Sequence, residues 1–384
     1  MRLERRKTRA ESHRDSGLSS HLEKEIRERI LRDGQITFAE YMELALYHPV
    51  HGYYADPARG PGSDYQTSPT LTPSFGTLLA NLLVRMWESL DRPNPFTVLE
   101  IGGGAGGLAR AAIDASAEAL GDRLAWEFVE HLEALRSVQR ESVSQSRYRK
   151  ALEDGPAIDG CVFANEVLDN FPVHLFEVVD GAAQEVYVTA GESEFQEALG
   201  PVSSPELATT AGQAVITLFD GDRFEIRVGL DRWASQTFRA LRRGYLVVID
   251  YGDFEPEIHR RRPEGTLVTY QKERLDELPL VDPGAKDITA HVNFTQLVNT
   301  LGGAGFDQIE VMTQGDLLKA LGADQLAASL RSDQRLAESE ERNVEVLSLL
   351  AERGRLSSLV LPGTLGDHLA LLCAKDGPPL DLRK

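Results

Sequence analysis

Thr97-Val-Leu-Glu-Ile-Gly-Gly-Gly-Ala-Gly-Gly107 is the stretch that decides the fold of this 384-residue chain. A β-branched and apolar run carries Glu100 near its end. A glycine cluster follows, and then an alanine-rich segment that reads as helix. Strand, glycine turn and helix in that order place a helix N-terminus beside a nucleotide. Glycine permits the tight turn and lets a ligand approach the backbone with no Cβ in the way. Gly102, Gly104 and Gly107 satisfy G-x-G-x-x-G, a pattern shared with dinucleotide enzymes.

Glu100 narrows the reading. It stands two residues before the first glycine and extends the pattern to Glu-x-Gly-x-Gly-x-Gly through Gly106. A carboxylate there would repel a dinucleotide pyrophosphate, which argues against a nicotinamide oxidoreductase. It suits a ligand with an ammonium group, and S-adenosyl-L-methionine has one, with a cationic sulfonium nearby. Glu130 closes the next apparent strand, 124–130, and stands 23 residues after Gly107. That is near the spacing of a carboxylate that accepts from ribose hydroxyls. Either acid alone could simply end a strand at a solvated sheet edge; together with the glycines they point to a bound ligand.

Composition sets bounds. The length suits one large α/β domain with insertions, or two domains. The hydrophobic share of 42% is ordinary for a globular core. No apolar run reaches the roughly 18 residues of a membrane helix, so no membrane insertion is expected. The basic start lacks an apolar h-region and contains Glu4, Glu11 and Asp15, so residues 1–18 read as a mobile tail rather than a targeting segment. Cys161 and Cys373 are the only cysteines, which fits a reducing compartment, here the cytoplasm, and excludes a cysteine metal cluster. The histidines are scattered, and no metal site is expected. A net charge of −19 disfavours nucleic acid and would attract a basic protein substrate. Oligomeric state is not legible.

Residues 19–33 show helical spacing, with Leu22, Ile26 and Ile30 on one face. Thr37 and Glu40 form a capping-box pattern for the next helix. Residues 52–70 read as a long loop, and Thr72-Pro73 as the cap and first turn of an amphipathic helix. From Thr97, strand and helix alternate, with strands at 97–101, 124–130, 160–164 and 244–250, which predicts a parallel sheet flanked by helices. Alternating runs with Asp180-Gly181 and Asp220-Gly221 turns predict an antiparallel β region. A helix-rich stretch follows 313, with punctuation at Gly354 and Pro362-Gly363, and 369–374 reads as the last strand. The expected division is a tail at 1–18, a helical cap and covering loop at 19–95, and a core at 96–375. That core carries a β insertion at about 173–229 and a helical insertion at about 313–360; a polar tail occupies 376–384.

Three further strand ends carry polar clusters, and ligands in open α/β sheets bind outside such ends. They are Asn165-Glu166-Val-Leu-Asp169-Asn170, Asp250-Tyr251-Gly252 and Asp287-Ile-Thr-Ala-His291-Val-Asn293-Phe294. Glu166 and Asp169 are three residues apart, so on one helical turn both would face the same way and could hold a guanidinium. Asn165 or Asp169 could instead cap a helix start. A lone histidine such as His291 is more often structural.

Together these segments resemble the MidA-like methyltransferases, whose mitochondrial members are complex I assembly factors that methylate arginine. The resemblance covers roughly residues 35–375. It is carried by Phe38-x-x-Tyr41-Met42 with Tyr47-x-Pro49-x-x-Gly52-Tyr53-Tyr54, and by Gly62-x-Asp64-Tyr65-x-Thr67-Ser68-Pro69 with Phe75-Gly76. Glu100 to Gly107, Asn165 to Asp169 with Pro172-Val173, Asp250 to Gly252, Asp287 to Phe294, and Thr313-Gln314-Gly315 complete it. The resemblance implies an α/β fold, a Rossmann-like seven-stranded methyltransferase sheet with a helical N-terminal cap. It implies S-adenosyl-L-methionine as cofactor and a protein arginine side chain as acceptor. By the same resemblance Glu100, Gly102, Gly104, Gly106, Glu130, Asp64, Thr67, Ser68 and Asn165 are expected at the cofactor. Glu166, Asp169 and His291 are expected in catalysis. The chain departs from the family's usual pattern in having Thr70 where Glu is usual, Tyr65 for Phe, and Gln271-Lys-Glu-Arg274 for a basic, histidine-containing segment. The Thr70 departure keeps open a non-catalytic cofactor-binding assembly factor; a methyltransferase for small molecules is the other alternative.

Overall fold

The computed structural model describes residues 19–56, 58–60, 65–130, 132–271 and 274–382. The expected tail at 1–18 and Asp64 lie outside the described residues. The chain forms two compact units, one from residues 1–65, 169–229 and 254–293, the other from 66–168, 230–253 and 294–384. The first boundary therefore falls at 65/66, inside the stretch read as one cap. The reason is the helix Ser74–Ser89, which packs on the helix Gly107–Ser116 of the sheet unit. A Cβ on Gly76 would stand 2.6 Å from the Ala111 Cβ, so Gly76 marks the point where these helices press together.

The sheet unit contains β1 (Phe96–Ile101), β2 (Leu124–Val129), β3 (Arg147–Arg149), β4 (Ile158–Asn165), β5 (Leu241–Asp250), β6 (Asp307–Thr313) and β7 (Leu369–Lys375). Their spatial order is β6-β7-β5-β4-β1-β2-β3. β1 pairs in parallel with β2 and β4, β4 with β5, and β2 with β3. β7 runs antiparallel to both of its neighbours. Strands buried on both faces read as continuous apolar runs, and five of the six β1 residues are buried. The core joins Phe96, Val98, Phe128, Phe163, Val247 and Leu372 to the helix residues Phe75, Leu79 and Leu108. Strand order reverses at β1, with β2 on one side and β4 on the other, and such a reversal opens a ligand crevice at the strands' carboxyl ends.

The other unit is built on antiparallel pairing. Val173–Val179, Ala182–Ala190, Phe195–Gly200, Arg223–Arg227 and Ile36–Thr37 make a five-stranded sheet. Asp180 and Gly181, both at positive φ, form the two-residue turn that suits the strand twist. Asp220-Gly221 is not such a hairpin turn. Ser204 caps, and Pro205 begins, a helix at Pro205–Ala214, and Asp220-Gly221 leads from it into Arg223–Arg227, which pairs with Val173–Val179. Leu22, Ile26 and Ile30 of the helix Ser19–Asp33 are buried in one core with Phe38, Tyr41 and Met42 of the helix Phe38–Tyr47 and with Val173, Leu175 and Val186 of the sheet. Thr37 and Glu40 make the capping box read from the sequence.

Two other details differ from expectation. Thr72 ends the short helix Ser68–Leu71, and Pro73 takes the N-cap position of Ser74–Ser89; the Thr72 hydroxyl still accepts from the Ser74 N–H at 3.1 Å. Gly354 lies inside the helix Asn343–Val360 rather than interrupting it. Among the described residues no helix is long and apolar enough to cross a membrane.

Candidate functional site

In the sheet unit, β1 delivers Glu100 and the glycine turn. Gly102, Gly104 and Gly106 have φ of 65°, 48° and 79°, values that glycine alone adopts readily. The turn is also crowded. A Cβ on Gly102 would meet Val167 at 2.8 Å, and one on Gly103 would meet Phe128 at 2.6 Å and the Glu100 carboxyl carbon at 3.0 Å. Glu100 is thus buried beneath the turn, where its Oε2 accepts from the Trp126 indole N–H at 2.9 Å. Burial pushes its pKa up to about 7, with the Trp126 hydrogen bond pulling the other way. Gln139 donates to the Gly104 carbonyl at 3.0 Å, while its own buried Oε1 has no hydrogen-bond partner.

Glu130 follows β2 directly and is buried. Its Oε1 accepts from the Leu132 N–H at 2.9 Å, and its backbone carbonyl accepts from the Arg136 guanidinium at 2.7 Å.

At the end of β4, Glu166 has a φ of 50°. Its N–H donates to the Ile249 carbonyl of β5, and Asp250 Oδ2 accepts from the N–H groups of Val167 (3.3 Å) and Leu168 (3.0 Å). Asp250 thus braces the residues that follow the left-handed Glu166. Glu166 and Asp169 do not share the expected helical turn: Leu168–Asn170 form a single 3-10 turn, and Glu166 lies outside it. Glu166 Oε1 accepts from Asn165 Nδ2 at 3.1 Å and from the Ser68 N–H at 3.3 Å. The buried Asn165 Oδ1 has no hydrogen-bond partner.

Thr67 and Ser68 open the short helix Ser68–Leu71. Thr70 Oγ1 accepts from the Thr67 N–H at 2.9 Å, closing a capping box in which the third helical residue reaches back to the cap. Glu is a usual residue at that position of a capping box. Thr70 fills that capping role in this chain.

Asp169 belongs to the other unit, together with His291. There Asp287 is buried, and its carboxylate accepts from the Tyr54 hydroxyl at 3.2 Å and from Asn170 Nδ2 at 2.8 Å. The Tyr54 and Tyr65 hydroxyls are 3.3 Å apart, Tyr47 donates to the Asn170 carbonyl, and the Tyr47 and Tyr54 rings stack at 5.6 Å. Burial first, and the Asp169 charge second, push the Asp287 pKa up to about 7. Burial likewise carries the Tyr47, Tyr54 and Tyr65 hydroxyls well above their ordinary values. The His291 backbone is fixed by Thr266 Oγ1, which accepts from its N–H at 3.0 Å, and by Arg227, which donates to its carbonyl.

The structure thus brings Asn165, Glu166 and Ser68 together and sets Glu100 under Gly103. Sequence reading named the segments of Tyr54, Tyr65 and Asp287 but not their cluster, and it did not single out Gln139. Those contacts span 11 to 233 residues, and no local spacing signals them.

The residues present fit S-adenosyl-L-methionine. The turn leaves no room for a Cβ at Gly102 or Gly103, and two buried acceptors, Asn165 Oδ1 and Gln139 Oε1, lack donors that the cofactor's ammonium and hydroxyl groups could supply. A family profile described as "Putative S-adenosyl-L-methionine-dependent methyltransferase" matches residues 78–312. The chain is 28% identical to the "Protein arginine methyltransferase NDUFAF7 homolog, mitochondrial" of Drosophila melanogaster, over 94% of this chain and 89% of that protein. It is 28% identical to the Homo sapiens protein named "Protein arginine methyltransferase NDUFAF7, mitochondrial", over 77% of this chain and 72% of that one. Among solved structures it resembles a "likely methyl transferase from Burkholderia thailandensis bound to S-adenosyl-homocysteine", with a TM-score of 0.85, 28% identity and 97% coverage of both chains.

Proposed function

The chain belongs to the MidA-like family of S-adenosyl-L-methionine-dependent methyltransferases, and we propose that it methylates an arginine side chain of a protein. The observation that carries the acceptor class is the Glu166 carboxylate, fixed at the end of β4 by Asn165 and Ser68 and braced by Asp250. The printed names of the animal relatives support the same class.

S-adenosyl-L-methionine, when bound, supplies an activated methyl group on a sulfonium. In this reading the backbone of Gly102, Gly104 and Gly106 lines its methionyl end, Glu100 supports the ammonium, and Glu130 accepts from the ribose hydroxyls. Asn165, Thr67 and Asp64 complete the cofactor set, and Ser68 takes part through its backbone rather than its side chain. Glu166 orients the guanidinium by hydrogen bonds and localises its lone pair on one nitrogen, and Asp169 keeps the acceptor role that the family resemblance implies. A protonated guanidinium is a poor nucleophile, so a carboxylate takes the proton that this nitrogen sheds as it is alkylated. His291 is assigned to the acceptor side. The two cysteines are buried and unpaired, which fits a reducing compartment; the cytoplasm is the compartment proposed, whereas the animal relatives are named as mitochondrial.

The test is radiolabel transfer. Purified protein and tritiated S-adenosyl-L-methionine are incubated with lysate from a strain deleted for the gene, with a Gly104→Arg protein as control. A labelled band that depends on the wild-type protein and yields methylarginine on acid hydrolysis is expected. Label recovered only in small molecules, or in another amino acid, overturns the arginine reading.

A further inference from the structure

Thr313-Gln314-Gly315 has no part in the reading above, yet Gln314 is wholly buried and touches the segment that carries Ser68. Its Nε2 donates to two backbone carbonyls, Leu359 at 3.1 Å and Leu365 at 3.0 Å. Two carbonyls can only accept, so the amide has one permitted orientation, with Oε1 turned toward Ser68. Ser68 Oγ lies 2.9 Å from that oxygen and must donate its single hydroxyl proton there. Ser68 is itself fully buried, and its backbone N–H donates to Glu166 Oε1. Glu352 adds a second tie to the same segment, accepting from the Thr72 hydroxyl and from Ser74 Oγ at 2.5 Å.

We propose that Gln314 is a positioning residue for methyl transfer: through the Ser68 hydroxyl it fixes the backbone N–H that aims the Glu166 carboxylate. The proposal rests on the assignment of Glu166 to the acceptor. Its physical basis is directional. A carboxylate that accepts from two fixed donors keeps one rotamer, whereas one that loses a donor samples others and meets the acceptor nitrogen in fewer of its conformations. The Ser68 side chain is committed to Gln314, so its link to the reaction runs through its backbone.

Two variants test this, Gln314→Leu, which removes the amide at similar volume, and Ser68→Ala, which removes only the hydroxyl. Each is expected to lower kcat about 10-fold, the size of one lost hydrogen bond in a buried network, with the KM for S-adenosyl-L-methionine within about 2-fold of wild type. The double variant is expected to lose no more than either single, because both break one chain of contacts. Hydrogen exchange gives a readout independent of turnover: the amides of Ser68, Thr70 and Leu71 are expected to exchange faster in Gln314→Leu, with those of 102–107 unchanged. Equal kcat with only a lowered Tm, or additive losses in the double variant, overturns the proposal. If Gln314→Leu does not fold, Ser68→Ala alone decides it by the same split between kcat and KM. Absence of methylarginine with the wild type overturns the acceptor reading, while the exchange result still reports whether Gln314 orders residues 68–71.

Discussion

The glycine cradle of the sheet unit and the tyrosine–carboxylate cluster of the other unit are built by opposite means. The cradle is mostly backbone: positive φ at three glycines, a turn braced by Asp250, and side chains kept out by Phe128 and Val167. The cluster is mostly side chain, with Tyr47, Tyr54, Tyr65, Asn170 and Asp287 brought in from four stretches of chain. Each contains one buried carboxylate pushed up to about 7, Glu100 in the cradle and Asp287 in the cluster. A backbone-built site tolerates few substitutions at few positions; a side-chain network spreads its sensitivity over many.

The largest effect that sharpens this contrast is expected at Glu166. Glu166→Gln keeps the shape and hydrogen bonding but removes the base, and should lower kcat by roughly 10²–10⁴-fold while S-adenosyl-homocysteine binding stays as in wild type. Calorimetry and labelled transfer on one preparation check both halves, and full turnover would sink the role given to Glu166.

Next comes the pH dependence of stability. The folded-state values of Glu100 and Asp287 are raised above their unfolded ones, so the folded protein holds protons that the unfolded chain releases. Their neutral forms cost nothing below about pH 4, and stability is then lost as pH rises toward 7. Glu100→Gln and Asp287→Asn should each flatten the slope of stability between pH 4 and pH 8, by roughly 3 kcal/mol across that span. Denaturant titrations at several pH values measure it. The two acids should then part company. Binding of S-adenosyl-homocysteine, whose ammonium favours an ionised Glu100, should release protons near pH 6.5, and Glu100→Gln should abolish that release while Asp287→Asn retains it. Calorimetry in buffers of different ionisation enthalpy decides between them.

Gly102→Val adds a side chain where φ is positive and Val167 stands 2.8 Å away. It should weaken S-adenosyl-homocysteine binding by roughly 100-fold, the effect of a few kcal/mol of strain at the turn. A Kd unchanged from wild type would remove the turn from the binding site. The smallest effect is expected at residue 70. Thr70→Glu exchanges one capping group for another, and the unfolding free energy should move by less than about 0.5 kcal/mol. A gain in turnover from that change would show that the position does more than cap.

The same contrast explains what could be read in advance. β1, its glycine turn and the following helix were legible because glycine, apolar strand and helix each leave a local mark, and so was the capping box at Thr37 and Glu40. The paired helical face for Glu166 and Asp169 was misread because a residue more than 80 places further on takes part: Asp250 accepts from the N–H groups of Val167 and Leu168, next to the positive φ at Glu166. Asp220-Gly221 looked like a hairpin turn because the dipeptide favours several turn types, and only the Ser204-Pro205 start marked the helix between. The Asp287 cluster left no local mark at all.

β7 carries a consequence for how the protein is made. It lies between β5 and β6, pairs with both, and comes after every other strand of its sheet in the chain. During synthesis β5 therefore waits with one edge bare, and β6 with no partner in the sheet, until residues 369–375 emerge from the ribosome. A stop codon at position 369 leaves almost all of the chain translated and its main sheet split in two.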